Sequence, residues 1–565
     1  MIRYIILIFI LVGFFISVKS QTVYPVNYFS SPLQEGMRVG GSFGELRPNH
    51  FHSGVDIKTE RIGLRLYAPA DGYISRIRVS PFGYGNALYI NHPNGYKTVY
   101  GHLNAYTKTV ADYIKTKQYE KQEFSVNLYP LPDEFPVKKG DLIGYTGNTG
   151  RSSGPHLHYE VRKIEGDVPV NPLLFYPIAD TFVPEIFTLG VYGIPGKGVV
   201  NGLQKKLINV IKSVPDYSIK ESLTAYGQIY TGIEVYDYLR SGAGKASVYK
   251  LELYVNSKLI YATVMDAFSF FESGYINTFI DYESRINLNK RIQRTYVTPN
   301  NKLDIYTALE NSGIVTINDG QVYTFNYVAT DFNNNKTELK FKITGKKQII
   351  PANKPGDIKL QWNTDNYFST SDVQLQVYRM TLFEDTSINY SKTPCKLSKY
   401  SDLHTFTGEY IPFFSKAQLD ISPKNIPENL VTKAVIARLL KNGTYESVGG
   451  DYKNNFISGK ISSFGSYFVA LDTVAPVMEW TNVSNKLNVR SLAKIQFRIR
   501  DNLSGIGSYN AYINNKWILL EYDGKSDMFT YTIEKEHFKK ENILKLLVSD
   551  TKDNILTYTT ILYWF

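Results

Sequence analysis

A chain of 565 residues is several times longer than one hydrophobic core supports, and at about 100–200 residues per domain it predicts three to five units. Its 43% hydrophobic and 20% charged residues exclude an intrinsically disordered chain, while 45 tyrosines, 31 phenylalanines and plentiful Val, Ile and Thr favour strands over helices. The formal charge of +11 is spread along the chain and suits contact with anionic envelope polymers, although any single lysine run reads first as a solvated face. The lone cysteine, Cys395, excludes an intramolecular disulfide, and neither a phosphate-cradling loop nor a nucleic-acid motif is present.

Residues 1–20, MIRYIILIFILVGFFISVKS, read as a cleaved signal peptide. Arg3 supplies the positive start, and Ile5–Val18 is an apolar run of 14 residues, shorter than the roughly 20 that span a bilayer. Cleavage before Gln21 removes Arg3 and Lys19 but no acid, which lowers the charge to +9. No cysteine follows the cleavage site, which argues against a lipoprotein anchor. No later segment is apolar enough for a transmembrane helix in the mature chain. The expected location is therefore the bacterial envelope, in the periplasm or at the cell surface.

Residues 21–180 form the first expected unit. Alternations such as GYISRIRV, NALYINH and KTVYGHL, punctuated by Gly, Pro and Asn, read as strands and turns. The polar piece Ala111–Gln122 reads as part of an insertion loop, with a short helix as the alternative. Six of the eight histidines fall in this unit. In GNTGRSSGPHLHYEVR, Pro155 ends a loop and His156–Val161 reads as a strand, so His156 and His158 project from one face. GVDI reads as a second strand carrying Asp56, preceded in NHFHSGVD by His50 and His52. A carboxylate with two imidazoles is a three-ligand set of the catalytic zinc kind, which leaves one position for a water of lowered pKa. A free imidazole nearby can take that water's proton, a role that suits His102 in TVYGHLN and the spare member of the His156/His158 pair. His92 in INHPNG reads as a turn residue. Arg47 fits either a substrate carboxylate or an ion pair that stabilises a turn. His404 and His537 have no partners in sequence and receive no role.

From about Val183 the pattern changes. GQIYTGIEVYD, VYKLELYVNSKLIYAT, QVYTFNYVATD and TELKFKI alternate with period two, which predicts an Ig-like β-sandwich over residues 181–345 with a long insertion. The stretch Thr344–Gly356 reads as a linker into a β-rich domain over 346–471, and Asp472–Pro476 as the boundary of a C-terminal Ig-like sandwich over 472–565. Two of these units echo one another. Asp237 precedes YLRSGAGKASVYKLELYVNSKLI and Asp501 precedes NLSGIGSYNAYINNKWI, while VATDFNNNKTELKFKI resembles VSDTKDNILTYTTIL in its Val, Asp and Asn positions. The recurrent Asp and Asn read as turn residues rather than calcium ligands, because no dense D-x-D-x-D run accompanies them. The closing YTTILYWF reads as a last sandwich strand rather than a barrel strand of an outer membrane.

The ordered motifs HSGVD, GHL and SGPHLHYEVR, with FGELRPNHF and VKKGDLIGYTGNTGRSSGPHLHYE around them, closely resemble the lysostaphin/LytM-type zinc endopeptidases. The resemblance covers about residues 36–165, under a third of the chain. It implies a mainly β protein: an N-terminal antiparallel-β LytM-like peptidase domain followed by several immunoglobulin-like β-sandwich domains. It further implies one Zn²⁺ per chain held by His52, Asp56 and His158, with His102 and His156 as non-ligand catalytic histidines. Family members cleave stem or cross-bridge peptides of peptidoglycan, the implied substrate here. Relatives that act only as amidase activators have lost ligands, whereas this chain keeps every position. His50 is then left for a supporting or substrate-contacting role. The departures are the segment Thr107–Pro136 and the β-rich C-terminal part, either of which could restrict the groove or autoinhibit. The alternative function is a non-catalytic envelope scaffold or a regulator of another cell-wall hydrolase. The sandwiches would in either case bind wall or envelope protein partners, or act as spacers.

Overall fold

The structure is a computed structural model that describes residues 24–176, 178–213, 216–239, 244–483 and 487–565. The expected signal peptide lies outside the described residues. The fold is mostly β, and each unit is built on its own sheets.

The N-terminal unit follows from period-two alternation. Its main sheet runs through β1 (Val39–Gly41), β2 (Val55–Lys58), β3 (Gly72–Val79), β4 (Ala87–Asn91), β5 (Tyr96–Gly101), β6 (Val126–Leu128) and β7 (His156–Lys163). The spatial order is β1-β2-β7-β5-β4-β3-β6, and each pairing is antiparallel. On one face Val55, Ile57, Leu157, Tyr159 and Val161 join the buried core with Leu88, Ile90 and Tyr100. The intervening residues Asp56, His156, His158, Glu160 and Arg162 must then stand on the other face. One alternation thus builds the core and the site together.

The piece Ala111–Gln122 takes the helical alternative rather than the loop. Residues Lys108–Lys121 form a helix, α1, and the chain then adds β6 and the short strand Pro136–Val137 to the edge of β3. The helix forms because Val110, Ile114 and Gln118 recur every fourth residue and are buried together. Its remaining surface is polar, which masks that narrow stripe in the composition.

Beyond Pro172–Leu174 the second unit is built on a ten-stranded sheet, with Ile186, Leu189, Ile229, Ile233, Leu251, Leu253, Phe325 and Phe341 in one buried core. Between its strands Lys258–Val264 and Tyr306–Leu309 lies an insertion that carries short helices over Phe270–Tyr275, Ile276–Phe279 and Tyr282–Leu288. Two five-stranded sheets enclose the core of residues 358–471, and two four-stranded sheets that of the C-terminal unit. In the last of these, Ile555–Tyr563 is an edge strand paired along Glu541–Asp550.

Contacts on two sides of the N-terminal unit bear on the site and its surroundings. Phe43, Leu46 and Phe51 enter a buried cluster with Met265, Phe268 and Phe279 of the insertion and with Phe383 from the third unit. On another side α1 meets the C-terminal sandwich, where Lys115 pairs with Glu534 at 2.7 Å and Tyr119 packs edge-on against Trp517. A cleft of about 810 Å³ lies between those units, with Asn104, Thr149 and Gly150 on one wall and Tyr522 and Lys525 on the other.

Candidate metal centre

Backbone register sets the centre. His158 on β7 lies directly between Asp56 on β2 and Gly101 on β5, the residue before His102. Such close approach requires Gly54, where a Cβ would sit 2.3 Å from the Tyr159 carbonyl oxygen. The glycine of HSGVD is there because the β7 backbone leaves no room for a side chain.

Three potential ligand atoms form a small triangle. His52 Nε2 lies 3.0 Å from His158 Nδ1 and 3.2 Å from Asp56 Oδ1, and the remaining edge is 3.1 Å. Ligands about 2.0–2.1 Å from a tetrahedral metal stand roughly 3.3 Å apart, so the triangle suits a single ion such as zinc. Hydrogen bonds fix the tautomers that ligation needs. His52 Nδ1–H donates to the Ser42 carbonyl at 2.8 Å, leaving Nε2 free to ligate. His158 Nε2–H donates to Glu160 Oε1 at 2.6 Å, leaving Nδ1 free.

The electrostatics fit a cation as well. Burial opposes charge on Asp56, but His52, His158 and Arg47 outweigh it and hold the carboxyl well below its usual range. Burial lowers His52, whereas the Asp56 and Glu160 carboxylates outweigh burial at His158 and raise it. In the metal-free chain a proton is therefore drawn to His158 Nδ1, the atom facing the other two. Ligation would displace that proton, as metal binding to imidazole requires.

Glu160 holds the arrangement from below. It is fully buried, and its Oε1 accepts from Ser53 at 2.7 Å and Tyr84 at 2.6 Å besides His158. Arg162 Nε donates to Oε2 at 2.5 Å, and its charge is the largest influence that overcomes burial and keeps Glu160 ionised. Neither residue stood out in sequence, yet the signal was present: His156, His158, Glu160 and Arg162 continue one period-two face. Ser42 carried no signal, since its role is played by a backbone carbonyl.

His102 and His156 flank the triangle with ring centres 4.7 Å apart. His102 Nδ1–H donates to the Thr149 carbonyl at 2.7 Å, so Nε2 keeps its lone pair. Burial, then the neighbouring His158 and His156, push His102 down to about 3, so it is neutral near pH 7. His156 Nδ1 faces the Gly154 carbonyl at 2.9 Å, and its Nε2 lies 3.5 Å from Asp56 Oδ1. Arg47 pairs with Asp56 and with Glu45, the ion-pair option of its two readings. His50 is exposed and its Nδ1 bonds the Pro48 carbonyl rather than the triangle. His92 is buried between the Asp71 carbonyl and Thr98, a satisfied core histidine.

An antiparallel β unit with a His/Asp/His triangle and two free imidazoles has the make-up of a metal-dependent hydrolase. Residues 50–119 and 131–172, within the N-terminal unit, match the model of Peptidase family M23. Residues 357–472 match a Zu5-like domain. Among curated proteins, DD-carboxypeptidase/endopeptidase Mpg of Neisseria meningitidis is 38% identical over 141 residues, 24% of this chain and 26% of that protein. Peptidoglycan DD-endopeptidase ShyA of Vibrio cholerae is 35% identical over 148 residues, 25% of this chain and 28% of that protein. The chain thus spans about a quarter of the length of these relatives. A solved zinc-containing peptidase from Vibrio cholerae is 29% identical, covering 24% of this chain and 36% of its own, with a TM-score of 0.18.

Proposed function

We propose that this protein is an exported zinc metalloendopeptidase that hydrolyses peptide bonds in the stem or cross-bridge peptides of peptidoglycan. The observation that carries the reading is the triangle of His52 Nε2, Asp56 Oδ1 and His158 Nδ1, with both imidazole tautomers set by second hydrogen bonds. Similarity to peptidoglycan DD-endopeptidases supports the substrate class.

In this reading His52, Asp56 and His158 hold one Zn²⁺, which supplies Lewis acidity to a substrate carbonyl and acidifies a water. His102 Nε2 accepts the proton of the attacking water, because Nδ1 is committed to the Thr149 carbonyl and the ring starts neutral. His156, its own Nδ1 held by the Gly154 carbonyl, retains the second proton-exchanging nitrogen beside Asp56. The buried Glu160 keeps His158 oriented throughout. Residues 1–20 direct export and are removed before Gln21, so the working location is the envelope.

Mass spectrometry of muropeptides from isolated sacculi tests the proposal. Zinc-loaded protein should release new peptide termini, and His158→Ala should abolish release and lower bound zinc. Equal release by the variant would overturn the assignment. Wall binding without bond cleavage, indifferent to His102→Ala and His156→Ala, would support the scaffold reading instead.

A further inference from the structure

The echo between the second and last units has a chemical counterpart in three dimensions. Asp180, Asp237 and Asp331 offer carboxylate oxygens within 4.8 Å of one another, and so do Asp472, Asp501 and Asp550. Each triad is drawn in the same order from the same three places. Asp180 and Asp472 lie in the segments that enter the two units. Asp237 follows the strand Leu223–Tyr236, and Asp501 follows Lys494–Arg500. Asp331 follows Val322–Thr330, and Asp550 closes Glu541–Asp550.

The supporting bonds repeat atom for atom. Asn335 donates its backbone N–H to Asp331 Oδ1 at 2.8 Å and its side-chain amide to Asp331 Oδ2 at 2.7 Å and to the Asp180 carbonyl at 3.1 Å. Asn554 makes the matching bonds to Asp550 Oδ1 at 2.9 Å, Asp550 Oδ2 at 2.7 Å and the Asp472 carbonyl at 2.9 Å. The asparagine at the fourth position after the aspartate thus ties the entering segment to the hairpin in both units.

Backbone amides satisfy Asp180 Oδ1, both Asp472 oxygens and Asp501 Oδ2, but three further oxygens have no such donor. Asp237 is 3% exposed, and its Oδ1 is enclosed with no hydrogen-bond donor. Asp180 Oδ2 and Asp501 Oδ1 are likewise enclosed and without a donor. Among the described residues no Lys, Arg or His forms an ion pair with any of the six carboxylates. Three carboxylates converging without a cation repel one another in a medium that screens poorly. Donor sets made only of carboxylate oxygens are the ligand class of Ca²⁺ rather than of zinc.

We propose that each triad binds one Ca²⁺, and that the two ions fasten the second and last units to the segments that enter them. The site at Asp180 then fixes the exit of the peptidase unit, and the site at Asp472 fixes the C-terminal sandwich that meets α1. The two sites are separate from the zinc triangle and do not depend on its assignment.

Isothermal titration of the full-length zinc-loaded chain with CaCl₂, alongside native mass spectrometry, tests this directly. Two Ca²⁺ per chain are expected for the unchanged protein, one each for Asp237→Asn and Asp501→Asn, and none for the double variant. Zinc content should stay the same in all four. The melting temperature of the unchanged protein should rise with the logarithm of CaCl₂ concentration, as ligand linkage requires, and that of the double variant should not. In EDTA-treated buffer the asparagine variants should melt at or above the unchanged protein, since an isosteric neutral group removes repulsion. That comparison separates lost binding from lost folding, and if one variant fails to fold, the other decides by its stoichiometry. Absence of saturable Ca²⁺ binding, or a stoichiometry unmoved by either substitution, would overturn the proposal.

Discussion

A histidine ligates through whichever nitrogen its second hydrogen bond leaves free, and here the two imidazoles are committed differently. His52 is oriented by a backbone carbonyl, which mutation cannot remove, whereas His158 depends on the Glu160 side chain. Glu160→Gln should therefore weaken zinc binding by roughly 10–100-fold in a chelator competition, the usual cost of losing such a partner. It should also destabilise the fold, because Arg162 is left buried beside a neutral amide. His52→Ala should lose the metal and His50→Ala should keep it, since His50 is exposed and bonded to Pro48. His102 gives a pH signature in the metal-free protein. Its folded value of about 3 lies below the ordinary histidine value, so the unfolded chain binds more protons between pH 3 and 6.5. Stability from this group is present above pH 6.5 and is lost as pH falls through that window. Denaturant titrations at pH 7 and 4.5 should show a shallower loss for His102→Gln than for the unchanged chain.

Whole elements were legible in sequence to the extent that one period governed them. The strands of the N-terminal sheet announced themselves because one face is apolar and the other carries the chemistry, as in His156–Val161. The helix α1 did not, because only Val110, Ile114 and Gln118 are buried, and the polar remainder outweighs them in any average. Ile114→Ala should cost about 2–4 kcal/mol in urea unfolding, the range for a truncated core residue, whereas a loop residue would cost almost nothing. The aspartate triads were legible as an echo of Asp and Asn positions, but their convergence was not, for a different reason. Their members stand tens of residues apart in the chain, so a search for dense acidic runs passes over them. Asp237 and Asp331 follow strands that do not pair with each other, so only the folded unit brings them together, and only the entering segment adds Asp180. Ligands of one ion are neighbours in sequence when a loop supplies them, but not when two strand ends and an entering segment do.

Across the whole molecule, the metal centre borrows its order from outside its own unit. The segment that carries His52 is pinned at Phe43, Leu46 and Phe51 by the insertion of the second unit, and Phe51 N–H donates to Ser273 Oγ at 2.9 Å. The Ser42 carbonyl that orients His52 belongs to a residue whose hydroxyl accepts the Ser247 amide at 2.8 Å. Packing of residues 247–279 thus reaches a potential metal ligand through two hydrogen bonds. The Phe268 ring packs tilted against Phe43 and Phe51, with ring centres 4.8 Å and 5.5 Å away, so Phe268→Ala should leave a cavity under that segment and loosen His52. Zinc affinity should then fall several-fold although no ligand has changed. Leu546→Ala, in the buried core of the C-terminal unit, should destabilise that sandwich by a similar few kcal/mol and leave zinc affinity where it was. Chelator competition on the two variants distinguishes specific support of the site from general loss of stability. Equal affinities in both would mean that the N-terminal unit organises its metal centre alone, and that the interface through Phe51 serves only to hold the units together.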